Sequence, residues 1–430
     1  MKLIWLTNCI LPVVSERLGE KISYVNGWTD LLSRKLLSQK NYELVSVYPD
    51  SRLRSSIFGK RNRLKWYGFH APKVASINYN EKRVKYFREI LEIEKPDLVH
   101  IWGTEYSHCT EMTEAASGLV PVVISIQGII SECAKVYLQG IPKAEINRQT
   151  FHDIVRNDGL KMQKYRFEMR GKLEKRALRQ VKYVIGRTKW DKDTVQRINS
   201  DIRYFKCDEI MRDCFYSEKA WSYSNCEKNS IFLPQSYYPI KGMHIALKIL
   251  SGVKRYYPDV HLYTTGRDAR CRSLSDRLRQ NSYERFVSEL IREYDLDENV
   301  TYLGSLNAEG MKKMYMKANV FLQASIIENS SNSLTEAMLI GTPIVVSNVG
   351  GTESIVPDEV QDQLYDVRDV EKAVNLILEM FSKEADDCFD EYRKARDMLL
   401  EAKAVGVVSK QYENCYNVIA NNETFNPIGS

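Results

Sequence analysis

The stretch Ala324-Ser-Ile-Ile-Glu-Asn-Ser-Ser-Asn-Ser-Leu-Thr-Glu-Ala-Met-Leu-Ile-Gly-Thr-Pro-Ile-Val-Val-Ser-Asn-Val-Gly-Gly351 alternates loop, helix and strand signals. Asn329 to Ser333 reads as a loop and a helix start, because short side chains with oxygen acceptors favour turns and N-caps. The helix carries on through Glu336 and stops at Gly341, a residue suited to a left-handed C-terminus; Pro343 and a β-branched strand follow. Ala318–Gln323 reads as the strand before the loop. Strand, loop, helix and strand in this order form the unit of a parallel sheet covered by helices.

Outward from this stretch the plan repeats. Gly118-Leu-Val-Pro-Val-Val-Ile-Ser125 has the same Gly, Pro and β-branched strand as Gly341 to Ser347, which suggests a duplicated architecture. The expected strands of the first half are Lys2–Thr7, Glu43–Tyr48, Asp97–Trp102, Pro121–Ile126 and Tyr183–Gly186, with helices such as Trp28–Gln39 and Lys82–Ile93 between them. Those of the second half are Ser230–Gln235, Asp259–Thr264, Asn299–Leu303, Ala318–Gln323 and Pro343–Ser347. A chain of 430 residues exceeds what one core serves. The expected fold class is therefore α/β, with two doubly wound Rossmann-like domains. The polar stretch Ser217 to Asn229 marks the boundary, giving domains 1–225 and 226–400 and a helical tail over 401–430. Ligands of such sheets sit at the carboxyl ends of strands.

Glu328 and Glu336 are separated by seven residues, and this spacing resembles the Glu-x7-Glu motif of retaining GT-B glycosyltransferases, the large family 4 in particular. Glu336-Ala-Met, Gly341-Thr-Pro and Val349-Gly-Gly351 share the resemblance. It implies that Glu328 contacts hydroxyls of the transferred sugar and that Glu336 holds the ribose. The amides around Ser331, Asn332, Ser333 and Leu334 would meet the phosphates, as the positive end of a helix dipole allows. Read without the resemblance, Ser333-x-x-Glu336 is also a capping box, in which Glu336 bonds its own helix start. The family often has Phe-Gly where this chain has Ser330-Ser331.

Further residues follow from the same resemblance. Lys241-Gly242, after the strand near Ser230, resembles the Lys-Gly that opens a helix in the family, where the ammonium neutralises charge on the departing diphosphate. Many relatives carry an Arg just upstream; here stands Gln235-Ser236, and Ser236 counts among the donor-site residues. Gly266-Arg267 matches a place where backbone approaches the nucleotide base, and Asn26-Gly27 resembles a Gly-Gly loop beside the donor phosphates. Gln127 stands where relatives commonly have a His; Gln donates a hydrogen bond but is no base. Glu105, His108, Gln127 and Arg187 are the acceptor-side candidates, and Arg187 with Asp191 equally reads as a structural pair.

Composition bounds the rest. Hydrophobic residues at 43% and charged residues at 27% describe a folded chain. The nine Cys are odd in number and scattered, which reads as reduced thiols and a cytoplasmic setting, with the inner face of the cell membrane open to it. The N-terminus fits neither a signal peptide nor a spanning helix. Between Asp50 and Glu81 no acidic residue occurs, while Arg52, Arg54, Lys60, Arg61, Arg63 and Lys65 run into Trp66, Tyr67 and Phe69. A second basic run spans Lys161 to Arg179. Both suit an anionic membrane surface or polyphosphate, and equally a solvated face. The His residues are isolated, so no metal and no cofactor are expected, and no nucleic acid partner. With the basic stretches, the resemblance implies a retaining hexosyltransferase using a UDP- or GDP-sugar as substrate, acting on a glycan or lipid-linked acceptor in capsule, exopolysaccharide or O-antigen assembly, with peripheral membrane contact. A catalytically silent GT-B partner or glycan-binding subunit is the alternative.

Overall fold

The β-branched runs fold into the strands of two sheets. The computed structural model describes residues 1–20, 27–71, 77–271 and 273–422, so Asn26 lies outside the described residues. The chain divides into two units.

The first unit comprises residues 1–132, 168–212 and the chain from 402 onward. Its sheet is built from β1 (Lys2–Leu6), β2 (Glu43–Asp50), β3 (Ile57–Arg61), β4 (Leu64–His70), β5 (Leu98–Trp102), β6 (Val122–Ser125), β7 (Tyr183–Gly186) and β8 (Arg203–Lys206). The order is β3-β4-β2-β1-β5-β6-β7-β8, parallel except where β3 runs against β4. Every residue of β5, β6 and β7 is buried, as strands covered on both faces require.

Strands β3 and β4 occupy the stretch whose basic and aromatic residues suggested a membrane surface. Trp66, Tyr67 and Phe69 are 7%, 8% and 3% exposed, so these rings belong to the sheet and not to a lipid interface. Two of the cations, Lys65 and Arg63, are engaged as well. Lys65 Nζ lies 2.6 Å from Glu94, to which the Tyr67 hydroxyl donates at 2.7 Å. Burial works against the charge on Glu94, but the bonds from Lys65 and Tyr67 outweigh it and hold the carboxyl below its usual range. The Arg63 guanidinium donates to the carbonyls of Leu37, Gln39 and Tyr42.

The segment expected as a separate tail also belongs here. The helix Val405–Asn422 packs on β5 and on the helix Gly27–Ser38. The His100 ring bridges it to the sheet, with Nδ1 2.7 Å from the Tyr416 hydroxyl and Nε2 2.6 Å from Ser125 Oγ. Full burial keeps that imidazole neutral, well below its ordinary pKa.

The second unit comprises residues 133–167 and 213–401. Its strands are β9 (Glu227–Leu233), β10 (His261–Thr264), β11 (Val300–Tyr302), β12 (Ala318–Gln323), β13 (Ile344–Ser347) and β14 (Leu364–Tyr365), in the all-parallel order β11-β10-β9-β12-β13-β14. Counted from β9, this is the Rossmann order, which reverses direction between its first and fourth strands. The first unit reverses in the same way between β1 and β5.

Residues 133–167 were expected in the first domain and instead cluster with the second unit. Their partners lie more than a hundred positions downstream. The Ser282 hydroxyl donates to the Arg148 carbonyl at 2.9 Å, Arg285 meets Glu145 at 3.2 Å, and His244 Nε2 lies 3.2 Å from the Gln139 carbonyl.

Candidate functional site

At the switch point of the second unit, the loops leaving β9 and β12 are held backbone to backbone. The Ile326 N–H donates to the Ile240 carbonyl at 2.8 Å. Gly242 adopts φ 73°, and a Cβ there would lie 1.8 Å from the Ala324 carbonyl oxygen, so only glycine permits this approach. The loops bring Lys241 and Glu328 together, with Nζ 2.6 Å from Oε1. The Ser325 hydroxyl donates to the same oxygen at 2.8 Å. Pro234, Gln235, Lys241, Ser325, Glu328 and Ser333 are among the residues around a cavity of about 20 Å3.

The helix Asn332–Ile340 starts beside this pair. Its N-cap is Ser331, whose hydroxyl accepts the Leu334 N–H at 3.3 Å and lies 3.1 Å from the Ser333 hydroxyl. The capping box read at Ser333 is therefore not formed: Glu336 stands in the second turn, too deep to bond the cap. Its carboxylate accepts the Tyr315 hydroxyl at 3.2 Å and is 6% exposed. A helix start of this kind presents first-turn amides and a positive dipole end to an anion. Asn332 and Ser333 open that turn, while the Leu334 N–H is taken up by the Ser331 hydroxyl.

Other donor-side candidates are committed to neighbours. The buried Ser236 hydroxyl donates to the Thr265 carbonyl at 3.0 Å. Gly266, at φ 104°, is bonded to the Gly304 carbonyl, and Arg267 pairs with Glu284 at 3.0 Å. The aromatic rings of Tyr237 and Tyr238 lie 4.4 Å apart and are about half exposed between Ser236 and Lys241.

At the switch point of the first unit, Glu105 follows β5 and Asn8 follows β1. Asn8 Nδ2 donates to Glu105 Oε2 at 2.9 Å, and His108 Nε2 lies 2.9 Å from Asn8 Oδ1. Burial pushes the Glu105 carboxyl up to about 7, and the Glu174 carboxylate nearby adds to the rise against the Asn8 bond. Burial also lowers the His108 imidazole to about 3, so it stands neutral. Thr104, beside Glu105, donates to Glu174 at 2.6 Å, and Glu174 also accepts the N–H groups of Ile130 and Ser131 at 2.9 Å. Gln127, half-buried, follows β6 next to Gly128, whose carbonyl accepts from Thr104.

Gly27 opens its helix against the Arg212 side chain, 3.0 Å from where a Cβ would stand. Arg187 is not an exposed acceptor ligand. It is buried, with its guanidinium 2.6 Å from Glu209, while Asp191 accepts the Arg187 backbone N–H at 3.0 Å. Asn8, Glu174 and Ser325 went unread in the sequence. Asn8 and Ser325 each stand two residues past a switch-point strand, the one positional signal that finds them.

Residues 220–399 match the family model of group 1 glycosyl transferases. An uncharacterized glycosyltransferase of Methanocaldococcus jannaschii is 36% identical over 75 residues, covering 17% of this chain and 19% of that protein. The chain spans about a fifth of the length of the curated relatives it matches. Sucrose-phosphate synthase from Thermosynechococcus elongatus is similar in structure, with a TM-score of 0.69 at 15% identity, over 98% of this chain and 100% of that one. The Anabaena protein HepE, solved with UDP and glucose, gives 0.62 at 13% identity over 97% and 100%. The fold is GT-B, with two Rossmann-like α/β units.

Proposed function

We propose that this chain is a retaining glycosyltransferase that moves a hexosyl group from a UDP- or GDP-sugar to a hydroxyl of a glycan or lipid-linked acceptor. The observation that carries the reading is the Lys241–Glu328 pair at the β9–β12 switch point, beside the start of the helix Asn332–Ile340. A cation and helix amides suit a diphosphate; a carboxylate next to them suits the hydroxyls of the sugar that the diphosphate carries. The match over residues 220–399 and the UDP and glucose of HepE point the same way.

In the reaction, the bond between the anomeric carbon and the β-phosphate oxygen breaks. Negative charge gathers on the leaving diphosphate, where Lys241 and the first-turn amides stabilise it. The acceptor hydroxyl attacks from the face the phosphate leaves, and its proton passes to the departing phosphate oxygen, so configuration is retained without a protein base. Glu328 orients the sugar, Glu336 the ribose. Glu105 and His108, with Gln127, are assigned to the acceptor. The nucleotide sugar is a substrate, and the scheme uses no resident cofactor. Capsule, exopolysaccharide or O-antigen assembly at the cytoplasmic face of the membrane is the setting we infer.

Calorimetric titration with UDP, GDP and their hexosyl derivatives tests the reading. Wild type should bind one nucleotide series and release hexose slowly. Glu328→Ala and Lys241→Ala should each weaken binding or turnover at least tenfold. A wild type that binds no nucleotide would overturn the enzyme reading; variants that bind and turn over like wild type would move the site elsewhere.

A further inference from the structure

On the second unit, two short helices, Phe151–Arg156 and Leu274–Arg279, pack against each other and turn apolar side chains outward. Phe151, Ile154 and Val155 are 61%, 66% and 63% exposed, and their i, i+3, i+4 spacing places them on one helix face. The opposite face holds Asp153, which closes a capping box with Thr150 and accepts from Ser282. Leu274 and Leu278, one turn apart, are 81% and 56% exposed. Five of the fifteen large hydrophobic side chains exposed among the described residues thus sit on these two helices. Scattered single apolar residues need no explanation, but contiguous ones mark a docking surface.

The surrounding charge selects the partner. Arg156, Arg277 and Arg279 are exposed and have no acidic partner among the described residues. Of the nearby acids, Asp153 is buried, and Asp276 lies in the first turn of its helix, where it accepts the Ser273 hydroxyl at 2.7 Å. A second copy docking through this face would set arginine against arginine. An anionic bilayer offers both complements, phosphates to the guanidinium groups and acyl chains to the apolar face.

We propose that this face docks the chain on an anionic lipid bilayer. It replaces the buried aromatics of β4 as the lipid contact, and it stands whether or not the acceptor is lipid-linked. Flotation with vesicles of phosphatidylcholine alone, and of phosphatidylcholine with phosphatidylglycerol, is the test. Wild type should float with the anionic vesicles only. The double variant Leu274→Ser/Leu278→Ser should lose roughly tenfold or more of its partitioning, and Arg277→Glu/Arg279→Glu should lose both binding and salt sensitivity. These side chains are exposed, so the melting temperature should not change, and nucleotide binding in the same samples reports the donor site separately. A wild type that stays with the protein fraction, or a Leu variant that floats like it, would overturn the proposal. So would a concentration-dependent dimer that the Leu variant abolishes, which would assign the face to a second copy.

Discussion

A methyl group on the Cα of Gly350 would stand 2.0 Å from the carbonyl oxygen of Glu328. Gly350 adopts φ 57°, and the next amide, Gly351 N–H, donates to that same carbonyl at 3.0 Å. The Gly-Gly turn after β13 therefore fixes the backbone of the glutamate after β12. Gly350→Ala should shift Glu328 and lower kcat/KM for the donor by on the order of a hundredfold, the effect of a displacement near 1 Å. Steady-state kinetics check this, with denaturant unfolding alongside to show that the loss exceeds any change in stability.

Lys241 Nζ meets Glu328 Oε1 at 2.6 Å. A diphosphate leaving group would compete for the ammonium, so the interaction strengthens as charge develops. Lys241→Met should reduce kcat by about a hundredfold to a thousandfold, the usual cost of removing one such stabilising group. KM should move far less, and Lys241→Arg should recover part of the loss. A variant altered in KM alone would place Lys241 in ground-state binding only.

The sequence made the second unit's candidate site legible because its signals are local. Gly341, Pro343 and the polar run before Asn332 each act within one turn, and the helix and strand they delimit are found at Asn332–Ile340 and Ile344–Ser347. The first-unit pair was legible only in part: Glu105 and His108 were in view, but Asn8, the residue that joins them, is about a hundred positions away and meets them only because β1 and β5 pair. The stretch Leu64–His70 was misread for another reason. Buried on both faces, β4 shows no alternation, and its lysine and aromatics matched an interfacial composition while each was satisfied inside the sheet.

Glu105 links structure to pH. Burial moves its pKa from 4.5 up to about 7, so between those values the folded chain holds a proton that the unfolded chain releases. Stability contributed by the protonated form is complete below that window and is lost as pH rises through about 7. His108, lowered by burial from 6.5 to about 3, works the other way: its unfolded form takes up a proton that the folded form does not, so its contribution to stability grows as pH rises from about 3 to 6.5, in wild type and variant alike. Thermal scans from about pH 5 to about pH 8 should show a smaller fall in Tm for Glu105→Gln than for wild type. Parallel slopes would mean that the carboxyl titrates in its ordinary range.

Arg187 separates a structural role from an acceptor role. Its guanidinium and the Glu209 carboxylate are 4% and 3% exposed and 2.6 Å apart. Removing one partner strands a buried charge, so Arg187→Met should cost about 3–5 kcal/mol of stability. Below the unfolding transition, the acceptor KM should be unchanged. Replacing both partners by apolar residues should restore much of the lost stability, which a lost substrate contact would not do.

Trp66 tests the reassigned basic stretch directly. Its ring lies over Gly59 of the neighbouring strand, 2.2 Å from where a Cβ would stand, so the glycine and the indole are fitted to each other. Cutting the ring away leaves a void that strands β3 and β4 cannot fill, and Trp66→Ala should destabilise by about 3–5 kcal/mol. Vesicle flotation of the folded variant should match wild type, because a 7% exposed side chain has no surface to offer lipid. Gly59→Val should destabilise as well, from the opposite side of the same contact. Loss of flotation without loss of stability in Trp66→Ala would return this segment to the membrane.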